Sequence, residues 1–400
     1  MRSMLNRYRT ALVIPGMPRV IAAAFTAYLL SGMMNLSLLL AAQRITGSFA
    51  AAGLVAGAYA AALAFAAPFW GRLVDRKGPR GPLLWAVGAQ ATMVAVFVVA
   101  GTSTSDTAVL LIAAGLTGAC TPPTSTVARR VMAAVPDEAA QRTLFALSGF
   151  ITEAVFIIGP LVVAVIVLVV HPLWAIGVAA VASGAGALIL RGSTAARRLD
   201  LEIVQRPATG SSRTAGWNAA QIRVLGVIAL GAVAIGGVQV SVVAHAQVLG
   251  TSEGVFVAAL AVGGVVASFL YGGMAVPGSL PVQLATFLAL YGALILTLAL
   301  APVFAISIVL MLLIGAATGP ADGIEAMLIG QYTPPAGQSQ AFAVLVTANW
   351  IGFALGSASA GAVIERVGPA AGVVLAGAAA LVAAALALFS RAPRDAAAAA

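Results

Sequence analysis

Three carboxylates stand inside long apolar runs: Glu153, seven residues before Pro160, and Asp322 and Glu325, three residues apart. A charge at the centre of a bilayer costs about 2.5 to 3.5 kcal/mol on insertion scales, so each needs a reason to be there. The spacing of three puts Asp322 and Glu325 on one helix face. A carboxyl group out of water that gains and loses a proton on opposite sides of a barrier is what proton coupling requires. Glu153 is the first candidate for that role, with Asp322 and Glu325 beside it. The alternative for all three is a carboxyl that fastens two helices, and Asp322 and Glu325 could also lie beyond the end of their run. A second group of interest is the stretch Gly71-Arg72-Leu73-Val74-Asp75-Arg76-Lys77-Gly78-Pro79-Arg80. Gly71 leaves room for two helix ends to approach, and Gly78 permits a turn with positive φ. Asp75 can cap a neighbouring helix amino terminus, while Arg76 and Arg80 pair with acidic groups or lipid phosphate. The blander reading is a tight basic turn that only sets orientation.

Other chemistry is missing from the sequence. There is no phosphate-cradling glycine loop with lysine, no histidine cluster and no elbow serine, and Cys120 is the single cysteine, so an enzyme, a bound cofactor and a cysteine metal site are not expected. Neutral polar groups inside apolar runs are Asn35, Gln239, His245 and Asn349. Asn35, Gln239 and Asn349 are weaker evidence than the carboxylates, since such groups also hydrogen-bond across helices. His245 lies near the outer end of its run, where a wet interfacial histidine is the commoner explanation.

The elements that must position these groups follow from composition. Of 400 residues, 61% are hydrophobic and 8% charged, which excludes a water-soluble fold. Apolar runs near 20-42, 49-70, 82-101, 107-128, 144-169 and 173-190, then 222-247, 254-275, 282-300, 303-330, 340-364 and 370-390, predict twelve spans. The net charge of +9 is not a nucleic-acid signal, because the basic residues sit in short clusters between runs. All but Arg44 and Arg366 fall on one side, with Arg129, Arg130 and Arg142 read as the loop after the fourth span. The rule that cytoplasmic loops hold the Lys and Arg then puts both termini in the cytoplasm. The first span is too long for a signal peptide core and is read as retained.

Composition shifts to Arg, Ser, Gly and Pro between Arg191 and Gln221. The expected organisation is therefore a six-helix bundle over 1-190, a central cytoplasmic connection over 191-221, and a second six-helix bundle with a short tail over 222-400. Within the connection, Ala195 to Gln205 reads either as an interfacial helix, with Leu199, Ile203 and Val204 towards lipid, or as a flexible linker. The halves read as copies: Gly115, Gly118, Pro136, Phe145 and Gly159 recur as Gly315, Gly319, Pro334, Phe342 and Gly356 at offsets of 197 to 201. Six helices per repeat make the halves parallel, related by an axis along the membrane normal. Gly53 with Gly57, and Gly352 with Gly356, are expected to form smooth packing faces.

The Gly71 to Arg80 stretch resembles the loop signature G-x-L-x-D-R-x-G-R-R of the major facilitator superfamily, matched at Gly71, Leu73, Asp75, Arg76, Gly78 and Arg80, with Pro79 in place of a basic residue. The resemblance implies an all-α membrane protein with twelve helices in two parallel bundles, and a secondary transporter working by alternating access. It also implies that this loop latches the halves at the cytoplasmic face, against the start of the eleventh span near Gln340, and that the first, fourth, seventh and tenth helices line the cavity, which makes Asn35 and Gln239, with Asn349 beside them, candidate substrate contacts. Gly159-Pro160 is similar to part of the family's antiporter motif, without its flanking glycines. The fourth span is read as lacking the buried arginine of the family's proton-coupled drug exporters. Few fixed charges and many Ala, Val, Phe and Met side chains favour proton-coupled efflux of a small amphiphilic molecule. Uptake of a small polar nutrient is the alternative, and a scaffold or sensor without transport is the alternative of another class. The expected partners are that substrate, protons and lipid, with the chain acting as a monomer. Lys77 alone among so many arginines, with abundant alanine, suggests a bacterial plasma membrane.

Overall fold

The structure is a computed structural model of the 400-residue chain and describes residues 2–204, 217–250, 253–299 and 303–390. In lipid each backbone N–H and C=O must be satisfied internally, and the described elements are helices throughout. The first half holds α1 (Arg2–Val13), α2 (Met17–Thr46), α3 (Phe49–Lys77), α4 (Arg80–Ser103), α5 (Thr107–Ala119), α6 (Thr124–Ala133), α7 (Glu138–Val169) and α8 (Leu173–Arg191). Helix α9 (Thr194–Val204) follows, and the second half holds α10 (Ala219–Val248), α11 (Glu253–Gly273), α12 (Leu280–Leu298), α13 (Phe304–Tyr332), α14 (Gln338–Val367) and α15 (Pro369–Leu388). Among the described residues, twelve segments are long and apolar enough to cross a membrane, with α5 and α6 together forming the fourth. An even number of crossings brings the start of α2 and the end of α15 to one end of the bundle, here called the basic end.

Sequence sets the helix limits directly. Ser48, Asp106 and Asp137 cap α3, α5 and α7 by accepting first-turn amides. The fourth span breaks because Pro122 and Pro123 have no N–H to donate to the preceding turn. The Ala119 carbonyl, which would have bonded residue 123, accepts instead from Trp70 Nε1 at 2.8 Å. After the break α6 resumes and carries the span on to Ala133. The expectation that this span ends at 128 and that Arg129 and Arg130 sit in a loop is therefore corrected: both are on α6, with 4% and 1% of their surfaces exposed. Arg142 is on α7.

Between the halves, α9 is a helix, with Arg197 and Arg198 exposed as expected of an interfacial segment. Leu199, however, is buried in the same core as Leu83 and Leu190, so it faces protein and not lipid. The side chains of Ile203 and Val204, together with Gln205, Arg206 and Arg213 of the connection and Arg391 and Arg394 of the tail, lie outside the described residues.

The repeat is visible as duplicated packing. A Cβ on Gly118 would strike the Tyr59 backbone of α3, and one on its repeat-mate Gly319 would strike the Gly264 backbone of α11. Gly159 of α7 lies against Gly32 of α2 as Gly356 of α14 lies against Val233 of α10. The rings of the repeat-mates Phe145 and Phe342 are 6.3 Å apart. A residue that meets its own mate must sit close to the pseudo-two-fold axis, so the axis passes between α7 and α14. Gly352 also packs on α10, whereas a Cβ on Gly53 or Gly57 would meet nothing within 4 Å, so the expected packing face on α3 is not formed. Gly356→Ala should therefore destabilise by about 1 to 3 kcal/mol through overpacking. Gly53→Ala should leave the thermal midpoint in detergent unchanged, and equal losses in the two variants would contradict this packing.

Candidate functional site

Two adjacent arginines on α6 reach different partners. At the basic end, Arg130 Nη1 donates to Asp75 Oδ1 at 2.7 Å and to Ser339 Oγ at 3.1 Å. Asp75 also accepts from the backbone N–H of Ser339 at 3.2 Å and of Gln340 at 2.8 Å. Those amides belong to the first turn of α14, where donors lack intrahelical partners and the helix dipole is positive. Asp75 thus joins the second span to the start of the eleventh, across the halves. Gly71 makes the approach feasible, since a Cβ there would lie 2.7 Å from Ser339 O and 2.8 Å from Gln340 Cα. With its amide oxygen turned towards Arg72, Gln340 also accepts from Arg72 Nε at 3.0 Å.

The rest of the loop is held from α9. Gly78 adopts φ +80°, and the space beside it is filled by the Asp200 carboxyl group. Arg80 Nε donates to Arg191 O at 3.3 Å and lies 3.8 Å from Asp200 Oδ2. Burial pushes the Asp200 carboxyl above the usual range, and Arg80 and Arg191 oppose that rise. Leu73 is half-buried and Arg76 is exposed, so of the two basic residues expected to find acidic partners, Arg80 has one among the described contacts.

Deeper in the bundle, Arg129 Nη2 donates to both carboxylate oxygens of Asp322 at 3.0 and 2.9 Å. Its Nε donates to Tyr28 Oη at 3.0 Å, and that hydroxyl meets Ser148 Oγ at 3.1 Å. One pair therefore ties the fourth span to the tenth, and the first and fifth spans brace it. The reading that the fourth span lacks a buried arginine is overturned by Arg129, whose side chain is 5% exposed. Asp322 and Glu325 both lie inside α13 and not beyond its end. Glu325 is buried within electrostatic reach of Asp322 and Arg129. Glu153, on α7, is within reach of Asp322, and its carboxyl carbon would lie 3.1 Å from a Cβ on Gly264 of α11. The structure thus brings Glu153 and Glu325 within electrostatic reach of Asp322, which Arg129 holds where the halves meet.

The neutral candidates are less concentrated. Asn35 Oδ1 on α2 is buried without a hydrogen-bond partner, Gln239 on α10 is exposed, and Asn349 on α14 is half-buried. No hydrogen bond among the described residues joins them to the Arg129 cluster. His245, half-buried towards the end of α10, is held by Ser307 Oγ at 2.9 Å, with its ring 6.0 Å from that of Phe256. Sequence reasoning passes over Arg129, Arg130, Tyr28, Ser148 and Ser339. The prolines at 122 and 123 carry the signal for the two arginines: a broken span needs extra length to cross, which draws the following basic pair inward.

Removing one member of a buried ion pair leaves the other without a counter-charge, at a cost of about 3 to 5 kcal/mol. Arg130→Ala should therefore lower stability in detergent by that order. Arg130→Ala combined with Asp75→Asn should recover part of the loss, and strict additivity of the two single effects would show that the pair is not coupled.

A family model described as Major Facilitator Superfamily matches residues 20–306. Comparison with curated proteins finds no match. Among solved structures, the human organic anion transporter MFSD10 (TETRAN) is similar at 16% identity, over 93% of this chain and 100% of that one, with a TM-score of 0.72. A bacterial homologue of the iron transporter ferroportin, in an outward-facing state, is similar at 12% identity over 94% and 99%, with a TM-score of 0.75. The proton:xylose symporter XylE is similar at 13% identity over 92% and 94%, with a TM-score of 0.68. With a family match across most of its length and the same twelve-helix fold, this chain belongs to the major facilitator superfamily of membrane transporters.

Proposed function

We propose that this transporter couples proton movement to outward transport of a small amphiphilic molecule, with its basic end in the cytoplasm. The observation that carries the reading is the Arg129–Asp322 pair, which crosses the halves beside Glu153 and Glu325. One guanidinium balances one carboxylate, so the remaining carboxyls are where a proton can be taken up without leaving an unpaired charge. Separation of the halves at this level must break the pair or carry a new partner to it. Proton loss from Glu153 or Glu325 offers Arg129 another carboxylate, and proton binding to Asp322 then releases it to that partner. The bundles over 1–190 and 222–400 act as the two rocking bodies, and the connection over 191–221 joins them.

Hydrogen bonds between the halves support a state closed at the basic end. They run from Asp75 with α14, through Thr143 with Gly272, to Arg129 with Asp322 and Thr347 with Ala64 O at 2.7 Å, which is about midway along α3. Substrate then enters or leaves at the other end, past Asn35 and Gln239. Asn35 Oδ1, an unpartnered acceptor, suits a donor on the substrate, and Asn349 is the third neutral contact. Small apolar side chains around few fixed charges favour an amphiphile over a polar nutrient. The cluster acts within one chain, so a monomer suffices. A plasma membrane of bacterial type supplies the gradient, worth about 2.3 kcal/mol per charge per 100 mV.

The test is flux in proteoliposomes across a panel of amphiphilic compounds, with and without an imposed pH gradient. The wild type should move at least one compound against its own gradient when the basic end faces the more alkaline side. Glu153→Gln and Asp322→Asn should reduce this to the gradient-free level. Undiminished gradient-driven flux in both variants would remove these carboxyls from coupling.

A further inference from the structure

The second half has no charged counterpart of the Gly71 to Arg80 loop: Gly272-Gly273-Met274-Ala275-Val276-Pro277-Gly278 contains neither acid nor base. This stretch ends the eighth span, and its last-turn carbonyls point out of the helix without intrahelical donors. First-half side chains reach this end at three points. Thr143 Oγ1 donates to Gly272 O, one of those carbonyls, at 2.8 Å, and past the helix end Arg142 Nη1 reaches Val276 O at 3.4 Å, which also accepts from Gln283 Nε2 at 2.9 Å. The third contact comes from the amino-terminal helix: Tyr8 Oη donates to Phe269 O, a turn before the helix end, at 2.5 Å. The Tyr8 ring stacks on Phe269 with centroids 4.8 Å apart and planes within 9°, and the Phe269 ring also meets that of Phe150 of α7 at 5.9 Å. Gly272 supplies the seat, since a Cβ there would lie 2.5 Å from the Tyr8 hydroxyl and 2.6 Å from Ala146 Cβ.

Helix α1 itself is fastened to the first half. It packs along α7 and the start of α2. Its turn into α2 passes through Gly16 at φ +86°, tight against Thr194 Oγ1 at the start of α9. A strap anchored on one half that donates a hydrogen bond to the other resists their separation.

We infer that Tyr8, with Thr143 and Arg142, forms a second latch at the basic end, in which α1 grips the end of the eighth span and must release it before that end can open. The inference rests on the alternating-access reading. Tyr8 is a positioning residue: it meets no substrate and acts by weighting the closed state. Loss of its hydroxyl removes one hydrogen bond from the closed state alone, and opening should become about threefold to tenfold more populated.

The experiment uses the full chain with Cys120→Ala and a single reporter, Ala146→Cys, at the α7–α11 seam. Vesicles with the basic end facing out are treated with a membrane-impermeant maleimide. Tyr8→Phe, which keeps the ring and its stacking, should raise the labelling rate by that factor with an unchanged thermal midpoint. A second reporter, Ala114→Cys, in the core of the first half, should label equally slowly in both backgrounds. Wild-type labelling in Tyr8→Phe, while Asp75→Asn accelerates it, would overturn the latch and leave alternating access standing. Acceleration by neither variant would overturn both. A parallel rise at residue 114 would mean general loosening and would also overturn the latch.

Discussion

A guanidinium buried among helices keeps its charge, so the chain must bring an anion to it or not fold. Arg129 and Arg130 impose that demand twice, at neighbouring positions on α6. Successive residues on a helix point about 100° apart, so the two side chains leave the helix towards different neighbours. Arg130 meets Asp75 and, through Ser339, the first turn of α14. Arg129 meets Asp322 on α13. Each charge therefore fixes one contact between the halves, one at the basic end and one deeper. Both hang from a ten-residue helix that begins at a proline break. A shift of the first half against α14 and α13 strains both the hold of Asp75 and Arg130 on the first turn of α14 and the Arg129–Asp322 pair, so the contact at the basic end and the deeper one are mechanically joined by two adjacent residues.

The same demand explains which parts of the protein are legible in its sequence. Twelve spans can be counted because apolar runs of the needed length have no other stable state in lipid. The Gly71 to Arg80 loop can be interpreted because a small residue, an acid and a turn glycine at those spacings have few other uses, and Asp75 does meet the amides near Gln340. The arginines are misplaced by sequence because a hydropathy window treats Arg as a boundary. It takes no account of a carboxylate 193 residues away that makes burial tolerable. Asp322 stands out as anomalous, but its partner does not, since pairing across the two bundles leaves no local trace. Leu199 and the Gly53–Gly57 face show the complementary error: an apolar or smooth surface says that something packs there, not whether it is protein or lipid.

The two seams between the halves also show how a duplicated architecture can carry an unequal gate. At each seam the end of one span meets the start of another, the second with the eleventh and the eighth with the fifth. Helix starts need acceptors and helix ends need donors. The fifth span satisfies its own start, because Asp137 accepts from Ala139 N at 3.1 Å and Ala140 N at 3.2 Å. The eleventh span begins at Gly337, which has no side chain to offer, and so takes its acceptor from Asp75 across the seam. A self-capped helix start leaves the facing stretch of the second half without use for an acid. What that seam takes instead is donors to carbonyls at and around the end of α11: Thr143 supplies one to Gly272 and Tyr8 one to Phe269 from the first half, while Val276 O accepts from both Arg142 and Gln283. The charge asymmetry between the two loops thus follows from where each helix start finds its cap.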